Sequence, residues 1–235
     1  MPTTNAHGQP VGDPLPGWTA RPRPVPVVLE GRRVRLEPLS PDHVDDLHVA
    51  VCGDEDGPLW TYRSTGRPRS REELAALVRS DLADPATLTF AVAPTATGRA
   101  SGLTSYLRME PAHGCLEIGS ILFSRDVQRT PVTTESTHLL LRHAFDDLGH
   151  RRVEWKCDSL NEPSRVAARR LGFTYEGRFR HHVTTKGRNR DTDWFAIVES
   201  DWAAVRDAHE RWLAGLDDDG RQSVSLSELT APLLA

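Results

Sequence analysis

A turn rich in hydrogen-bond donors leads straight into a helix near the middle of the chain. Residues 128–149 read QRTPVTTESTHLLLRHAFDDLG. Thr130 suits the N-cap position, and Pro131 suits the first helical position, where the amide hydrogen that proline lacks would have no partner within the helix. Free amides and the positive end of the helix dipole converge at such a turn, and Arg129 adds a full charge. The pattern predicts an anion site, although any turn between a strand and a helix offers a similar arrangement.

The histidines of the chain do not have the spacing of metal ligands. His181 and His182 are adjacent in a predicted strand, so their side chains point to opposite faces of the sheet. His138 and His143 lie five residues apart on one predicted helix, whereas positions three or four apart share a face. We therefore predict no metal site.

Composition and charge argue against several classes of function. The 235 residues carry a formal net charge of −4, so no overall basic field attracts nucleic acid or an anionic membrane surface. No apolar run approaches the roughly 18 residues that span a bilayer, and the N-terminus lacks the apolar core of a signal peptide. Cys52, Cys115 and Cys157 are far apart and form no CxxC motif, which is typical of buried thiols in a reducing compartment. We expect a cytoplasmic protein with no nucleic-acid or membrane partner.

The helix after the turn and the segments around it form the frame that must position these donors. Apolar residues recur at three- and four-residue spacings up to Leu148, and Gly149 is a good helix stop. The preceding segment, GCLEIGSILFS, has the length and β-branching of a buried strand, and RRVEWKCD after the helix predicts a second strand. Asn161 caps a further helix that Gly172 closes.

The remaining segments predict one domain between two tails. Residues 1–26 are rich in proline and poor in periodic apolar positions, which favours a flexible tail. Residues 27–39 alternate apolar and charged side chains and predict a first strand with one solvated face. The predicted order of elements from there is β, α, α, β, β, β, loop, α, β, α, β, β. We place the domain with its C-terminal helix at residues 27–216 and a second flexible tail at residues 217–235.

Two irregular segments allow more than one interpretation. The polar loop at residues 53–69 carries Leu59, Trp60 and Tyr62, which could grip a ligand but more often plug such a loop onto the core. The turn at residues 186–191, KGRNRD, is basic. It suits an acidic substrate or a partner subunit, and a solvated hairpin tip is the alternative.

The order of the elements and several local sequences resemble the GCN5-related N-acetyltransferase (GNAT) superfamily over residues 28–201. NEPSRVAARRLGFTYEG resembles the family's stretch NxxSxxxxxxxGFxxEG, and TES from Thr134 resembles the TEA that follows its pyrophosphate loop. EIG in the fourth strand and DTDWF in the last are similar to the RimJ/RimL-like branch. The resemblance implies an α/β (α+β) fold with a mixed, mostly antiparallel central sheet of about seven strands and helices on both faces.

The resemblance also implies an activity. Members of this superfamily transfer an acetyl group from acetyl-CoA, or another acyl group from its CoA ester, directly to a primary amine. The founders of the branch acetylate protein N-termini. A protein N-terminus, a free amino acid, a polyamine and an amine-bearing antibiotic all stay open as acceptors, and the last helix and the hairpin are candidate surfaces for a homodimer.

The family's acyl-CoA loop has the pattern (Q/R)xxGx(G/A), which falls here on residues 128–133. Gln128 matches, whereas Pro131 stands where glycine is usual and Thr133 stands where glycine or alanine is usual. Proline removes one amide donor and threonine narrows the approach, so we expect a modified loop with fewer donors, helped by Arg129 and the threonine hydroxyls. The cofactor-binding residues implied in this stretch are Gln128, Arg129, Thr130, Pro131, Val132, Thr133 and Thr134.

The family separates two neighbouring strands so that the pantetheine arm of the cofactor lies between them. Here the corresponding strands lie at residues 116–124 and 151–157. The residues that this places along the arm are Ile121, Leu122 and Phe123. Asn161 matches the asparagine that contacts the arm from the other side, and it also suits a helix cap, a role compatible with the first.

Direct transfer needs a base that takes a proton from the amine, usually through water, and a donor beside the leaving thiolate. Glu117 resembles the carboxylate that relatives use as this base; a solvated or salt-bridged strand carboxylate is the alternative. Ser164 matches the serine that the RimL-like branch places near the sulfur, and its hydroxyl is a fair hydrogen-bond donor. Many relatives have a tyrosine where this chain has Ala168. With Pro131 and Thr133, Ala168 motivates a rival hypothesis, a non-catalytic acyl-CoA-binding or scaffold protein.

Overall fold

A computed structural model of the chain describes residues 3–217 and 219–234. Met1, Pro2, Asp218 and Ala235, which belong to the predicted tails, lie outside the described residues. The strands are β1 (Thr3–Thr4), β2 (Pro10–Val11), β3 (Leu29–Glu30), β4 (Val34–Pro38), β5 (Leu88–Pro94), β6 (Gly102–Glu110), β7 (Cys115–Phe123), β8 (Arg152–Asp158), β9 (Thr174–Thr185) and β10 (Arg188–Val198). The α-helices are α1 (Val44–Val51), α2 (Arg71–Ala83), α3 (Pro131–Arg142), α4 (Glu162–Arg170), α5 (Glu199–Ala214) and α6 (Leu226–Thr230).

The main sheet has eight strands in the order β3-β4-β5-β6-β7-β8-β10-β9. Neighbouring strands are antiparallel, except that β7 and β8 are parallel and are joined through α3. Apolar residues of α3 and α5 pack into the core on one face, and those of α1 and α2 pack into a second core on the other. The predicted mixed, mostly antiparallel sheet with helices on both faces is confirmed.

The eighth strand arises because the segment predicted as one strand at residues 27–39 folds as a hairpin of β3 and β4. The carboxylate of Glu135 on α3 accepts hydrogen bonds from the backbone amides of Arg32 and Arg33, each at 2.8 Å. A Cβ atom on Gly31 would lie 2.7 Å from the Glu135 carboxyl carbon, so a side chain at residue 31 would displace the carboxylate that holds this turn. A contact between residues about a hundred positions apart therefore decides where the strand turns.

The helix predicted up to Leu148 is regular only to Arg142. Residues His143–Asp147 continue it as a wider π-helical turn. The hydroxyl of Tyr106, on β6, donates to the Leu140 carbonyl at 2.6 Å just before the change, and the ring of His143 bonds Asp147 at 2.8 Å within it. Such a turn is held by neighbouring side chains, which helical periodicity does not reveal.

The N-terminal segment contacts the domain, which differs from the flexible tail predicted over residues 1–26. The Trp18 indole donates to the Ala112 carbonyl at 3.1 Å, and the Arg21 amide donates to the Pro111 carbonyl at 2.9 Å. The Trp18 ring also covers Gly114, where a Cβ would lie 2.7 Å from it. Proline lowers the entropic cost of ordering a segment, so few contacts are enough to hold this one.

The C-terminal segment also differs from the predicted tail at residues 217–235. It includes α6, whose Leu226 and Thr230 are fully buried. The Thr230 hydroxyl donates to the Arg170 carbonyl at the end of α4, at 3.1 Å. The buried Leu226 and the hydrogen bond from Thr230 thus attach to the domain a segment whose polar composition predicts exposure to solvent.

Candidate functional site

The parallel strands β7 and β8 separate after three pairs of residues. They pair at Cys115 with Arg152, Leu116 with Val153, and Glu117 with Glu154, and no further. A bulge accompanies the separation, since Ser120 has a φ of +48° and the register between β6 and β7 shifts near it. The facing edges of residues 118–123 and 155–158 therefore enclose a gap, and their inward backbone groups lack a partner strand.

The N-terminus of α3 lies beyond the end of β7. Thr130 has extended backbone angles, as an N-cap should, but its hydroxyl donates to the Val127 carbonyl at 2.7 Å and caps no amide. The Thr133 hydroxyl donates back to the Thr130 carbonyl at 3.1 Å. The first-turn amides of Val132 and Thr133 thus stay available as donors. The hydroxyls of Thr130 and Thr133 do not supply the extra donors expected from the sequence, because backbone carbonyls already take their protons.

The residues at the start of this loop have separate roles. The Gln128 side-chain amide donates to the Phe123 carbonyl at 2.9 Å, which ties the loop to the end of β7. Arg129 is exposed with a φ of +60°, so the chain reverses there before Pro131 opens the helix. Gln128 is therefore a structural brace of the loop, and Arg129 is its free charge.

Arg170 is a second cation near this helix end, and the sequence offered no signal for it. Its guanidinium donates to the Thr134 hydroxyl at 2.8 Å and lies over the Trp212 ring, 5.0 Å from the centroid. Among residues 3–217 and 219–234 no carboxylate lies within 4 Å of it. Burial lowers the pKa of the Arg170 guanidinium, because the charged form is less stable away from water when no counterion is near.

Asn161 and Ser164 stand at the start of α4, on the β8 side of the gap. The Asn161 Oδ1 accepts the Ser164 amide at 3.3 Å, so Asn161 is a helix cap and its Nδ2 group stays free to bind something else. The Trp155 indole donates to the Ser164 Oγ at 3.0 Å. Because that bond occupies an Oγ lone pair, the hydroxyl proton points away from Trp155. The other polar neighbour is the thiol of Cys157, whose pKa is raised to about 11, chiefly by burial.

Glu117 lies at the base of the gap and is 5% exposed. Lys156 reaches it diagonally from β8, with its Nζ atom 2.7 Å from a carboxylate oxygen, and the Arg108 Nε atom lies 3.8 Å away. Burial raises the pKa of Glu117, and the charge of Lys156 opposes that rise. A Cβ on Gly119 would lie 2.9 Å from Glu117 Oε1, so glycine there makes room for the carboxylate along the strand.

The loop between α1 and α2 crosses the open end of the gap at residues 60–63, which we call the crossing segment. Arg63 donates to the Ser120 carbonyl on β7, and the Tyr62 hydroxyl donates to the Leu160 carbonyl beyond β8 at 2.9 Å. Lys186, at the tip of the β9–β10 hairpin, donates to the carbonyls of residues 60 and 61 at 3.0 and 2.9 Å. The crossing segment thus joins both sides of the gap and the hairpin.

Of the aromatics in that loop, Trp60 is buried with its indole bonded to the Val51 carbonyl at 2.8 Å, whereas Tyr62 is exposed over the gap. The interpretation as a core plug holds for Trp60 and not for Tyr62. No sequence pattern could have found Arg63, because its partner lies 57 residues away.

Other features of the described chain concern metals and membranes. Among residues 3–217 and 219–234, no group of three or more histidine, cysteine or acidic side chains is arranged to hold a metal ion. Over the same ranges, no helix combines the length and apolarity needed to cross a bilayer.

This chain is similar to a known protein family and to several solved structures. A family model described as the acetyltransferase (GNAT) domain matches residues 33–174. The crystal structure of a GCN5-related N-acetyltransferase from Brucella melitensis is 40% identical, covers 92% of this chain and 100% of its own, and superposes with a TM-score of 0.89. A structure named "probable acetyltransferases (GNAT family)" from Chromobacterium violaceum is 34% identical over 83% of this chain and 98% of its own, with a TM-score of 0.78.

A curated relative from Bacillus subtilis is named "Putative ribosomal N-acetyltransferase YdaF". It is 25% identical over 105 residues. The match covers 45% of this chain and spans 57% of the length of that relative.

Proposed function

Because this chain belongs to the acetyltransferase (GNAT) domain family, we propose that it transfers an acetyl group from acetyl-CoA, or another acyl group from its CoA ester, to a primary amine. The observation that carries the proposal is the gap between β7 and β8, which opens beside an α3 N-terminus whose first amides no side chain caps. The family match supplies the chemistry, and the gap supplies a place for an extended thioester beside an anion site.

The residues around the gap fit a CoA ester. The amides of Val132 and Thr133, with Arg129 and Arg170 near them, suit the phosphate groups. The inward backbone groups of residues 121–123 and the free Nδ2 of Asn161 suit an amide-containing arm. When bound, such a cofactor supplies an activated acyl thioester. Gln128 and Pro131 shape this site, since Gln128 braces the loop and Pro131 opens the helix, while Thr134 accepts from Arg170 and keeps its hydroxyl proton.

Glu117 and Ser164 are the groups we assign to proton handling. Glu117 stands where the strands separate, and burial raises the pKa of its carboxyl, which makes it a stronger proton acceptor for an amine or an intervening water. Because Trp155 donates to the Ser164 oxygen, the hydroxyl proton is left for the neighbouring Cys157 sulfur or for a ligand that replaces it. Ser164 is positioned to stabilise negative charge on a leaving sulfur, in a chain where Ala168 offers no hydroxyl.

A second candidate function is a non-catalytic acyl-CoA-binding or scaffold protein. Lys156 holds the Glu117 carboxylate at 2.7 Å, and an ion-paired carboxylate is a weaker base. This observation adds to Pro131, Thr133 and Ala168, which already depart from the family's pattern.

One experiment separates the two candidates. Thiol release from acetyl-CoA is followed with a panel of amines, and binding of acetyl-CoA is measured in parallel by calorimetry. We expect saturable binding and amine-dependent release of CoA. Binding without release from any amine would leave the scaffold function, and the absence of both would refute the two together.

The proposal extends to the acceptor amine, the cellular compartment and the oligomeric state. The name of the Bacillus subtilis relative supports a ribosomal acceptor, beside the small amines. Cys52, Cys115 and Cys157 are free thiols, which supports a reducing, cytoplasmic location. A homodimer would use the hairpin, where Phe179 is 54% exposed, and not the apolar side of α5, because Trp202 and Trp212 are buried within the chain's own core.

A further inference from the structure

The charged side chains around the base of the gap balance one another. Arg152 bonds Glu154 and Glu176, Lys156 bonds Glu117, and Arg108 lies 3.8 to 4.0 Å from the carboxylates of residues 117 and 154. This network holds as many cations as carboxylates. It therefore leaves no surplus of either sign at the base of the gap.

The open end of the gap differs, because it carries three more cations: Arg63, Lys186 and Arg190. Within the ranges 3–217 and 219–234, none of them has a carboxylate within 4 Å. Arg63 and Lys186 are held by backbone carbonyls of β7 and of the crossing segment. The surplus of positive charge is thus built into the contacts that close this end.

Arg190 is placed beside the same opening by the backbone around it. The amide of Ser159, just past β8, donates to the Asp191 carbonyl at 2.9 Å, and the next residue, Leu160, receives the Tyr62 hydroxyl. The Arg190 side chain is half-buried, and its Nε atom is buried with no hydrogen-bond partner in the described part of the chain. Its charge contributes to lowering the pKa of His182, after burial and Lys156, and also lowers the pKa of Cys157, so the guanidinium acts on both β8 and β9.

The acidic residues near this opening, Asp158 and Asp191, keep their charge, but they are fewer than the three cations and contact backbone amides instead. Asp158 accepts the Leu160 amide at 2.9 Å, and Asp191 accepts the His181 amide at 2.8 Å. Asp81 acts on Arg63 only from beyond ion-pair distance, and burial still lowers the pKa of that guanidinium. A buried cation without a counterion costs free energy, which an anionic ligand would offset.

We propose that the acceptor is a primary amine that carries carboxylate groups close to its amino group, and that Arg190 and Arg63 bind those carboxylates. The inference rests on the proposed acyl transfer. A guanidinium has five N–H donors, so the bond from Arg63 to Ser120 leaves others for a ligand. Amino acids with acidic side chains and peptides with an acidic N-terminal sequence share this chemistry. Polyamines and polycationic antibiotics are disfavoured, since they would bring like charge to the opening.

The test measures thiol release from acetyl-CoA with matched acceptors. The peptide amides begin with serine followed by two aspartates, two asparagines or two lysines; the small amines are free aspartate, free glutamate and spermidine. We expect kcat/KM for an acidic acceptor to exceed that for the neutral peptide by about tenfold or more, and added salt to reduce the difference. The peptide and amino-acid arms distinguish the two sources of the carboxylate.

Arg190→Gln should bring the ratio of acidic to neutral rates close to one, and Arg190→Lys should keep part of the preference. Arg188→Gln is the matched control, because Arg188 is exposed on the same hairpin and should leave the ratio as it is in the parent protein. Melting curves of each variant verify folding.

Three outcomes overturn the inference. Equal rates with neutral and acidic peptides, or a ratio unchanged in Arg190→Gln, would remove the role of these arginines. Efficient turnover of spermidine would refute the inference while the acyl transfer stands. If no acceptor releases thiol, the proposed transfer fails with it, and a melting shift with acetyl-CoA would then identify the binding protein.

Discussion

Glu117 and Lys156 contact each other diagonally across the base of the gap, and each changes what the other can do. Glu117 is buried, which raises the pKa of its carboxyl, while the ammonium group 2.7 Å away favours the ionised form. The balance decides whether Glu117 is a useful base near neutral pH or a fixed structural charge. Ser164 also depends on a neighbour, because the hydrogen bond from the Trp155 indole to Oγ orients the hydroxyl proton away from Trp155.

Glu117→Gln should reduce turnover chiefly at the lower end of the pH range. The amine is protonated there and needs a base, whereas at high pH it reacts as the free amine. The measurement is kcat between about pH 6 and pH 9, with acetyl-CoA affinity followed by calorimetry and expected to stay near normal. Glu154→Gln, which removes the facing carboxylate in the same ion-pair network, is the control. A parallel drop at every pH, or none, would contradict a role as base.

Ser164→Ala should lower kcat by about a hundredfold, the order of magnitude for one donor at a developing negative charge. The KM for acetyl-CoA should change little, because Asn161 still caps α4 through the residue 164 amide. Trp155→Phe removes the N–H group that orients the hydroxyl and should produce a smaller loss in kcat. Ser200→Ala, at an exposed site, serves as control. Full turnover by Ser164→Ala would show that the hydroxyl does not act at the sulfur.

At the scale of elements, the contact between α3 and α5 fixes the helix that carries the proposed anion site. His138 on α3 and His209 on α5 face each other with ring centroids 5.5 Å apart, and the His209 Nε2 bonds the Leu171 carbonyl at 3.0 Å. Burial lowers the pKa of His138 to about 4 and that of His209 to about 3. The two helices therefore pack through neutral imidazoles.

This contact predicts that the protein loses stability in acid. Both histidines titrate near pH 6.5 when the chain is unfolded, so the unfolded state binds more protons as the pH falls below that value. Stability is full above pH 6.5 and decreases towards pH 4, by up to about 3 kcal/mol for His138 alone. Urea unfolding between those pH values measures the slope. His138→Gln should reduce the dependence of the unfolding free energy on pH. His113→Gln, on an exposed turn, should leave that dependence unchanged. An identical slope in both variants would refute the buried histidine as its origin.

At the scale of the whole molecule, the two terminal segments close the domain from outside the sheet. Trp18 covers the turn between β6 and β7, and Leu226 and Thr230 attach the C-terminus to α4 and α5. Gly220 brings this segment near the proposed anion site, since a Cβ there would lie 3.5 Å from the Pro131 ring. The C-terminal segment thus lies beside the N-terminus of α3.

Deleting residues 217–235 should destabilise the protein by about 2 to 4 kcal/mol, because it removes the buried Leu226 and the bond from Thr230 to Arg170. Thermal melting and urea unfolding measure the change. Deleting residues 1–17, which stops before Trp18, should have little effect and is the comparison. Equal melting temperatures for the two deletions would mean that the C-terminal segment behaves as the flexible tail predicted from composition.

The sequence by itself determined the family and the order of the main strands and helices, but not the β3–β4 hairpin, the π-helical turn or α6. The cap at Asn161, the helix starts at Thr130 and Pro131, the stop at Gly172 and the GF motif are local signals, and local backbone preferences produce the helix ends that they predict. The tertiary structure alone decided where side chains distant in sequence meet. The contacts between Lys156 and Glu117, Arg63 and Ser120, Arg170 and Thr134, and Glu135 and the β3–β4 turn depend on how strands pair and helices pack, which no single segment encodes. For that reason the proposed cofactor loop was recognisable from sequence, whereas the charge at the open end of the gap was not.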